Sequence, residues 1–304
     1  MNRQVDNVVV VGVDGSAPST AAALWAAGEA QRRGATVRLL QAYQMSMGFA
    51  GPGVMMLPAM FDDVRRVAQV VLEDARSTVT EAYPALTVDT QLCDEPPHVA
   101  LRVASERALL LVLGAHGHGS MTESLGSVAV KVANRSASPV VVVRADAAGR
   151  LHGDGPVWVA LDGSANSDDA LFFAFAEASL RGVPLVALHS WNDESSSGAV
   201  RSDPVEAHRA RFEEEQRLLA EQLSGQTETF PDVEVRPLVL RGHPAATLLE
   251  HCGEAPETRK PSMMVVVGSR GRGGFTGLLL GSTSQALISH FPGPVAIVRQ
   301  AAVG

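Results

Sequence analysis

The amino-acid sequence predicts an α/β fold of two tandem doubly wound domains, each built on a five-stranded, Rossmann-like parallel sheet. Short apolar runs of strand length alternate with helix-length segments along the whole chain. The runs lack polar alternation, which is typical of parallel strands buried on both faces. The second half also repeats the first, because Asp14-Gly-Ser and Asp162-Gly-Ser each end the first apolar run of a half.

The repeat extends well beyond this tripeptide. Residues 33–43 match residues 181–191 at the same offset, 148 positions, that separates Asp14 from Asp162. A period of that length indicates two homologous domains, because the units of solenoid proteins run about 20 to 50 residues. We therefore place the first domain at 1–148 and the second at 156–304, joined by a linker at 149–155 in a stretch rich in Gly, Ala and Asp.

In the first half, a turn from Asp14 to Pro18 separates the first strand from the first helix, with Ser16 or Ser19 as the candidate N-cap. The segment after residue 60 is a long amphipathic helix, and the later elements follow from the same alternation of short and long segments. The predicted strands are Val8–Val13, Val37–Gln41, Thr87–Leu92, Leu109–Leu113 and Val140–Arg144. The predicted helices are Ser19–Arg33, Phe61–Tyr83, Pro97–Arg107 and Gly126–Ala137.

The second half repeats this order of elements, with a solvated loop inserted at residues 254–261 before its fourth strand. The predicted strands are Val157–Leu161, Leu185–His189, Val233–Leu240, Met263–Val267 and Val295–Arg299. The predicted helices are Ser167–Arg181, Pro204–Ser224, Ala245–His251 and Ser282–Phe291.

A glycine-rich loop follows the fourth predicted strand of each half. In the second half the loop begins at Gly268, carries Gly271 and ends at Gly281-Ser282, where a helix begins. Glycines let the backbone approach a ligand closely, and the amides and positive dipole end of the following helix attract phosphate. The pattern recurs in the first half from Gly114 to Ser127, so the sequence predicts two cradles for anions.

Three features of each half should converge at one edge of the sheet, because ligands of open α/β sheets bind at the carboxyl ends of the strands. They are the acid after the first strand, the end of the second strand and the glycine loop. An acid beside phosphate-binding amides suits a nucleotide, with the carboxylate accepting hydrogen bonds from ribose or base. The same acids could instead cap turns only, and Arg270 and Arg272 could contact phosphate or be solvated loop charges.

The spacing of the glycines indicates which class of nucleotide-binding motif the sequence contains. The sequence contains no GxxxxGK[ST], and no complete GxGxxG follows the first strand. It has Gly268-x-x-Gly271, then nine residues, then Gly281-Ser282. This spacing resembles the ATP-binding motif of the universal stress protein family. Together with the Asp-Gly-Ser that follows the first strand of each half and the Pro-Val…Val-Arg ending, the resemblance spans nearly the whole chain and implies a tandem two-domain member.

The resemblance implies roles for particular residues. The two aspartates would hold ribose, the ends of the second strands would contact adenine, and the glycine loops with the serines that follow would bind the phosphates of ATP. The residues assigned in this way are Asp14, Ala42, Leu113, Gly114, Gly117, Gly126, Ser127, Asp162, Ser190, Val267, Gly268, Gly271, Gly281 and Ser282, and their setting adds Arg270.

The first loop departs from this pattern. Only eight residues separate Gly117 from Gly126, and Glu123 is one of them. His116 and His118 stand where the second loop has arginines, and histidine is mostly neutral at pH 7. We therefore expect the second site to bind ATP more tightly and the first to be weaker or sensitive to pH.

Composition excludes several other classes of function. The net charge is −8 without a long run of Lys or Arg, which argues against nucleic-acid and anionic-membrane binding. No apolar run reaches the roughly 20 residues of a membrane helix and no signal segment is evident, so we expect a cytoplasmic protein. Cys93 and Cys252 are expected to be free thiols, and no metal-ligand spacing accompanies the two loop histidines.

The sequence thus favours an ATP-binding regulator of the stress response, with no assigned catalytic residue and with Mg²⁺ as a possible companion of ATP. The last strands of the two halves could pair within or between chains, so a homodimer is expected, together with a regulatory protein partner that the sequence does not identify. A slow ATPase or phosphotransferase is the first alternative. An interaction module that binds cyclic AMP or no nucleotide is the second.

Overall fold

The computed structural model describes residues 5–43, 58–117, 126–145, 151, 154–164, 167–191, 204–252, 263–271 and 280–300. Its contacts divide the chain after Ala145 into two compact units, here called unit 1 and unit 2. Most of the linker predicted at 149–155 lies outside the described residues, so its bounds stay a prediction.

Unit 1 is a parallel sheet of five strands in the order β3-β2-β1-β4-β5. The chain winds outward from β1 in one direction and then returns to continue in the other, which confirms the doubly wound fold. Helix α1 packs on α2, and α3 packs on α4. The elements are β1 (Val8–Gly12), α1 (Ala17–Arg33), β2 (Thr36–Ala42), α2 (Pro58–Ala82), β3 (Val88–Cys93), α3 (Pro97–Ser105), β4 (Leu110–Gly114), α4 (Ser127–Ala133) and β5 (Val140–Val143).

Unit 2 repeats the topology with the strand order β8-β7-β6-β9-β10, again with parallel pairing. Helix α5 packs on α6, and α7 packs on α8. The elements are β6 (Val157–Leu161), α5 (Asp168–Arg181), β7 (Leu185–Trp191), α6 (Pro204–Thr229), β8 (Val235–Arg241), α7 (Pro244–Cys252), β9 (Met264–Gly268), α8 (Ser282–His290) and β10 (Val295–Val298).

The central strands form the core of each unit. All four residues of β5 and of β10 are buried, as are the first four residues of β1 and β9. This burial on both faces explains why the strands read as unbroken valine-rich runs. Among the described helices, none is both long and apolar enough to cross a membrane.

Two predicted helix ends were wrong. Helix α4 ends at Ala133 instead of Ala137, because the Asn134 side chain donates to the carbonyl of Val130 and the backbone leaves the helix. Helix α6 continues past Ser224 to Thr229, where Phe230 stacks on Phe175 and extends the apolar contact of the helix end. A local side-chain bond thus sets the end of α4, and tertiary packing sets the end of α6.

Candidate functional site

The carboxylates that follow the first strands form identical turns. Asp14 Oδ1 accepts hydrogen bonds from the backbone N–H of Ser16 at 3.0 Å and from its hydroxyl at 2.6 Å. Asp162 makes the same two bonds with Ser164, at the same two distances. The glycine between them has a positive φ, 70° at Gly163, which other residues adopt only with strain. The repeated Asp-Gly-Ser is therefore a turn motif in which the carboxylate position is fixed.

The second oxygen of each carboxylate faces the glycine loop. A Cβ atom placed on Gly271 would lie 2.8 Å from Asp162 Oδ2, closer than van der Waals contact allows. A Cβ atom on Gly117 would collide with Asp14 Oδ2 in the same way. The structure thus brings together the acid and the glycine loop that the sequence predicts to converge. Each aspartate both caps its turn and faces the loop. Its role in the turn therefore does not exclude contact with a ligand.

The two ends of each glycine loop are joined by a backbone hydrogen bond. Gly281 N–H donates to the carbonyl of Ser269 at 2.9 Å in unit 2, and Gly126 N–H donates to Ala115 at 3.1 Å in unit 1. Helices α8 and α4 then begin at the next residue, with a glycine N-cap that supplies no side-chain bond to the first turn. The first-turn amides of α8, a nine-residue helix, therefore keep donors available for an anion.

Near the ends of β4 and β9, the predicted site residues are two apolar residues and the glycine that follows each of them. Leu113 and Val267 are buried in the cores of their units. A Cβ on Gly114 would lie 2.7 Å from the carbonyl oxygen of Pro18 and 3.0 Å from the amide of Ser19, so glycine is needed for α1 to approach this strand. The glycine at this position thus has a packing role independent of any ligand.

The ends of the second strands lie beside the aspartates at the carboxyl edge of each sheet. Leu161 pairs with His189, so the next residues along the two strands, Asp162 and Ser190, are neighbours. The Ser190 hydroxyl donates to the carbonyl of Gly242 at 2.6 Å, which engages it within the protein. Ala42 ends β2 at the equivalent position of unit 1. Ala42 and Ser190 therefore both lie at the predicted edge of the sheet, where their backbone groups rather than their side chains suit contact with a ligand.

Comparison with known proteins decides the family. A family model described as universal stress protein family matches residues 7–144 and again 155–299. The chain belongs to the universal stress protein family. It is 37% identical over 298 residues to a universal stress protein of Mycolicibacterium smegmatis, covering 96% of each chain. It is 36% identical over 301 residues to one of Mycobacterium tuberculosis, covering 96% of this chain and 97% of the relative.

A solved structure agrees at the level of the fold. The crystal structure of a universal stress protein from Archaeoglobus fulgidus covers 100% of both chains with a TM-score of 0.70 and 21% sequence identity. The two matches of the family model and the two relatives confirm the resemblance inferred from the motifs, and the chain is a tandem member with two universal stress protein domains.

The basic residues beside the glycine loop differ between the two units. In unit 2, burial and then the charge of Arg270 lower the pKa of Arg299. In unit 1 the equivalent position after the last strand is Arg144, whose Nη2 donates to His116 Nε2 at 3.3 Å. Sequence reasoning selected Arg270 but missed Arg299. The repeated Val-Arg that ends each half was the available signal.

Sequence reasoning also missed a series of buried hydrogen bonds that reaches Leu161, the residue before Asp162. His189 Nδ1 donates to the carbonyl of Leu161 at 2.9 Å, and its Nε2 lies 2.8 Å from Glu215 Oε2. Glu215 in turn accepts from Arg211 at 2.6 Å. This chain of bonds anchors the backbone residue that precedes Asp162 to α6. The available signal was that Glu215 lies on the same helix face as buried leucines four and eight residues later.

Other predicted features are settled only in part. Within the described ranges, no group of three or more His, Cys, Asp or Glu residues could hold a metal ion. His118, Glu123 and Arg272, which also distinguish the two loops, lie outside the described residues. Cys93 and Cys252 are free, as expected, and burial raises the pKa of the Cys252 thiol well above its usual value.

Proposed function

We propose that this universal stress protein binds ATP in both units, more tightly in unit 2, and acts as a nucleotide-dependent regulator in the stress response. The observation that carries the proposal is the approach of Asp162 Oδ2 to Gly271, next to the start of α8. Asp162 thus lies against the loop backbone at Gly271, and the bond from Gly281 to Ser269 brings the start of α8 to the same part of the loop. A fixed carboxylate beside the first turn of a helix suits ribose at the carboxylate and phosphate at the helix amides.

The binding chemistry follows from the groups at this edge. Asp162 would accept hydrogen bonds from ribose, and the amides of Gly271 and of the first turn of α8 would donate to phosphate oxygens. Arg270 and Arg299 would add positive charge. A hydrogen bond to a charged group contributes roughly 1.5–3 kcal/mol, and micromolar affinity corresponds to about 8 kcal/mol, so three or four such bonds suffice.

We propose ATP binding, rather than ATP hydrolysis, as the main role of these sites. Among the described residues, Asp14 faces the glycine loop of unit 1 and Asp162 that of unit 2, and each of these carboxylates already caps its turn. Phosphoryl transfer needs in addition a positioned base or water-orienting group and a held metal ion. A Mg²⁺ ion would take most of its ligands from the phosphates and water, with the aspartate as the available protein carboxylate. Bound nucleotide would instead shift the conformation of the loop and thereby a surface for a partner.

Calorimetric titration with ATP tests the proposal. We expect Asp162→Ala to weaken binding more than Asp14→Ala, and Asp74→Ala, an exposed acid on α2, to leave it unchanged. Equal losses from the two site variants would contradict the difference between units. An intact wild-type chain that takes up no ATP would contradict the proposal itself.

Mass spectrometry of the ligand released from freshly purified protein separates the alternatives. Release of ATP supports the proposal, and release of cyclic AMP or of no nucleotide supports an interaction module. Turnover well above background with Mg²⁺, lost in Gly281→Ala, would favour an ATPase or phosphotransferase. The proposed homodimer and regulatory partner remain predictions, and light scattering with and without ATP measures the number of chains.

A further inference from the structure

Two hydrogen bonds between described residues join the ends of the glycine loop of unit 2. One is the backbone bond from Gly281 to Ser269. The other comes from Ser284, in the first turn of α8, whose hydroxyl donates to the carbonyl of Gly268 at 2.8 Å. Ser284 is 2% exposed, so this bond is shielded from competing water. The strand end and the helix start, which together form the phosphate cradle, are therefore held at a fixed separation.

In the part of unit 1 that the structure describes, the second bond has no counterpart. Its backbone bond from Gly126 to Ala115 is the counterpart of the first one. The residue three positions after Gly126, equivalent to Ser284, is Ala129, which is buried but has no hydroxyl. One difference between the units is therefore the buried hydroxyl group of Ser284 between the fourth strand and the following helix.

The Ser284 bond fixes the first peptide of the loop. The N–H of the Gly268–Ser269 peptide donates to the carbonyl of Val298 at 2.8 Å, and its carbonyl accepts from Ser284. Both ends of this peptide are thus held in unit 2. In unit 1 the matching N–H, that of Ala115, donates to Val143 at 3.0 Å, but the side chain of Ala129 offers the carbonyl of Gly114 no donor.

We infer that Ser284 is a positioning residue that preorganises the phosphate cradle of unit 2 and thereby makes it the tighter ATP site. The inference rests on the proposed function and assigns the difference between the sites to a specific group. Binding to a cradle already held in place loses less conformational freedom than binding to one that must be ordered. Ser284 acts through Gly268 and the first turn of α8, without touching the nucleotide.

Exchanging the two side chains provides a matched test. Ser284→Ala is measured in an Asp14→Ala background, which leaves unit 2 as the ATP site, and Ala129→Ser is measured in an Asp162→Ala background, which leaves unit 1. We expect Ser284→Ala to raise the Kd for ATP by about five- to tenfold, the usual worth of one hydrogen bond. Ala129→Ser should lower the Kd of unit 1, because its hydroxyl can reach Gly114.

A control separates positioning from general stability. The Ser179 hydroxyl donates to Asp232 at 2.6 Å elsewhere in unit 2, so Ser179→Ala also removes one hydroxyl hydrogen bond. We expect Ser179→Ala to lower the Tm without changing the Kd, whereas Ser284→Ala changes both. Hydrogen exchange adds a second readout: Ser284→Ala should speed exchange of the loop amides before ATP is added, and Ser179→Ala should not.

The outcomes distinguish the inference from the proposed function. If the Asp14→Ala background binds ATP and Ser284→Ala alters its Kd by less than twofold, the inference is overturned and the proposed function stands. If neither background nor the wild type binds ATP, both are overturned. Should Ser284→Ala fail to fold, Ala129→Ser decides alone, and an unchanged Kd in unit 1 overturns the inference.

Discussion

At the scale of single residues, the site depends on glycines whose absent side chains leave room for a carboxylate. Asp162 is held by two bonds from Ser164, so it cannot turn aside without losing them. Its second carboxylate oxygen, Oδ2, faces Gly271 at a distance that admits no Cβ. The spacing of glycines in the loop is therefore explained partly by contacts within the protein, before any ligand is considered.

Gly271→Ala should accordingly weaken ATP binding and also lower the stability of unit 2, because a displaced Asp162 loses its bonds from Ser164. The added methyl group would push the Asp162 side chain from its turn and fill the space proposed for ribose and phosphate. We expect at least a tenfold rise in the Kd of unit 2, equivalent to about 1.4 kcal/mol. Calorimetry with ATP measures it, with Gly225→Ala in α6 as the glycine-to-alanine control. Unchanged ATP affinity in Gly271→Ala would show that this edge of the sheet is not the nucleotide site.

The sequence predicted which residue types meet but not the bonds between them. The convergence of Asp14 with Gly117 and of Asp162 with Gly271 follows from the rule that strand ends meet at one edge of a parallel sheet. The bond from Ser284 to Gly268 joins residues 16 positions apart, across a loop whose path the sequence does not specify. Such contacts depend on tertiary distances of a few ångströms, which no periodicity in the sequence encodes.

At the scale of elements, strands were easier to predict than helix ends. A buried parallel strand needs a continuous apolar run, and all ten runs became strands. Helix ends depend on competing local bonds and on distant packing. Helix α6 passes through Gly225, a residue that disfavours helix interiors, because its last turns are supported by the aromatic stack around Phe230.

Gly225→Ala should therefore stabilise the protein. A Cβ added at this position meets nothing within 4 Å, and alanine loses less backbone entropy than glycine when it enters a helix. We expect a gain of about 0.5–1 kcal/mol in the free energy of unfolding of unit 2. Urea unfolding followed by circular dichroism measures the gain, and the Kd for ATP should stay constant. A loss of stability would indicate that Gly225 serves a contact absent from this structure.

At the scale of the whole molecule, duplication has given one fold two versions of the same site. The order of strands, the Asp-Gly-Ser turn and the bond that closes the loop recur in both units. Three differences lie at the loop and the helix that follows it: a histidine in place of Arg270, an alanine in place of Ser284 and a helix of seven rather than nine residues. All three changes reduce the attraction or the order offered to phosphate in unit 1.

The two cysteines allow unit 2 to be observed within the intact chain. Cys252 is fully buried and burial raises the pKa of its thiol, so the reactive thiolate is scarce in the native state. Cys93, in unit 1, is only half-buried. In the variant Cys93→Ser, where Cys252 is the remaining cysteine of the chain, a thiol reagent should react at a rate set by the opening of unit 2.

ATP should protect Cys252 from this reaction. A ligand that binds the folded state reduces the unfolded fraction by 1 + [L]/Kd, so ATP at 100 times its Kd should slow labelling by about 100-fold. Asp14→Ala should leave this protection in place, because the nucleotide bound in unit 2 is unaffected, whereas Asp162→Ala should abolish it. Labelling followed by mass spectrometry at several ATP concentrations measures both effects. Protection of Cys252 that survives Asp162→Ala would show that the ATP that stabilises unit 2 is not held by Asp162, against the site proposed beside Gly271.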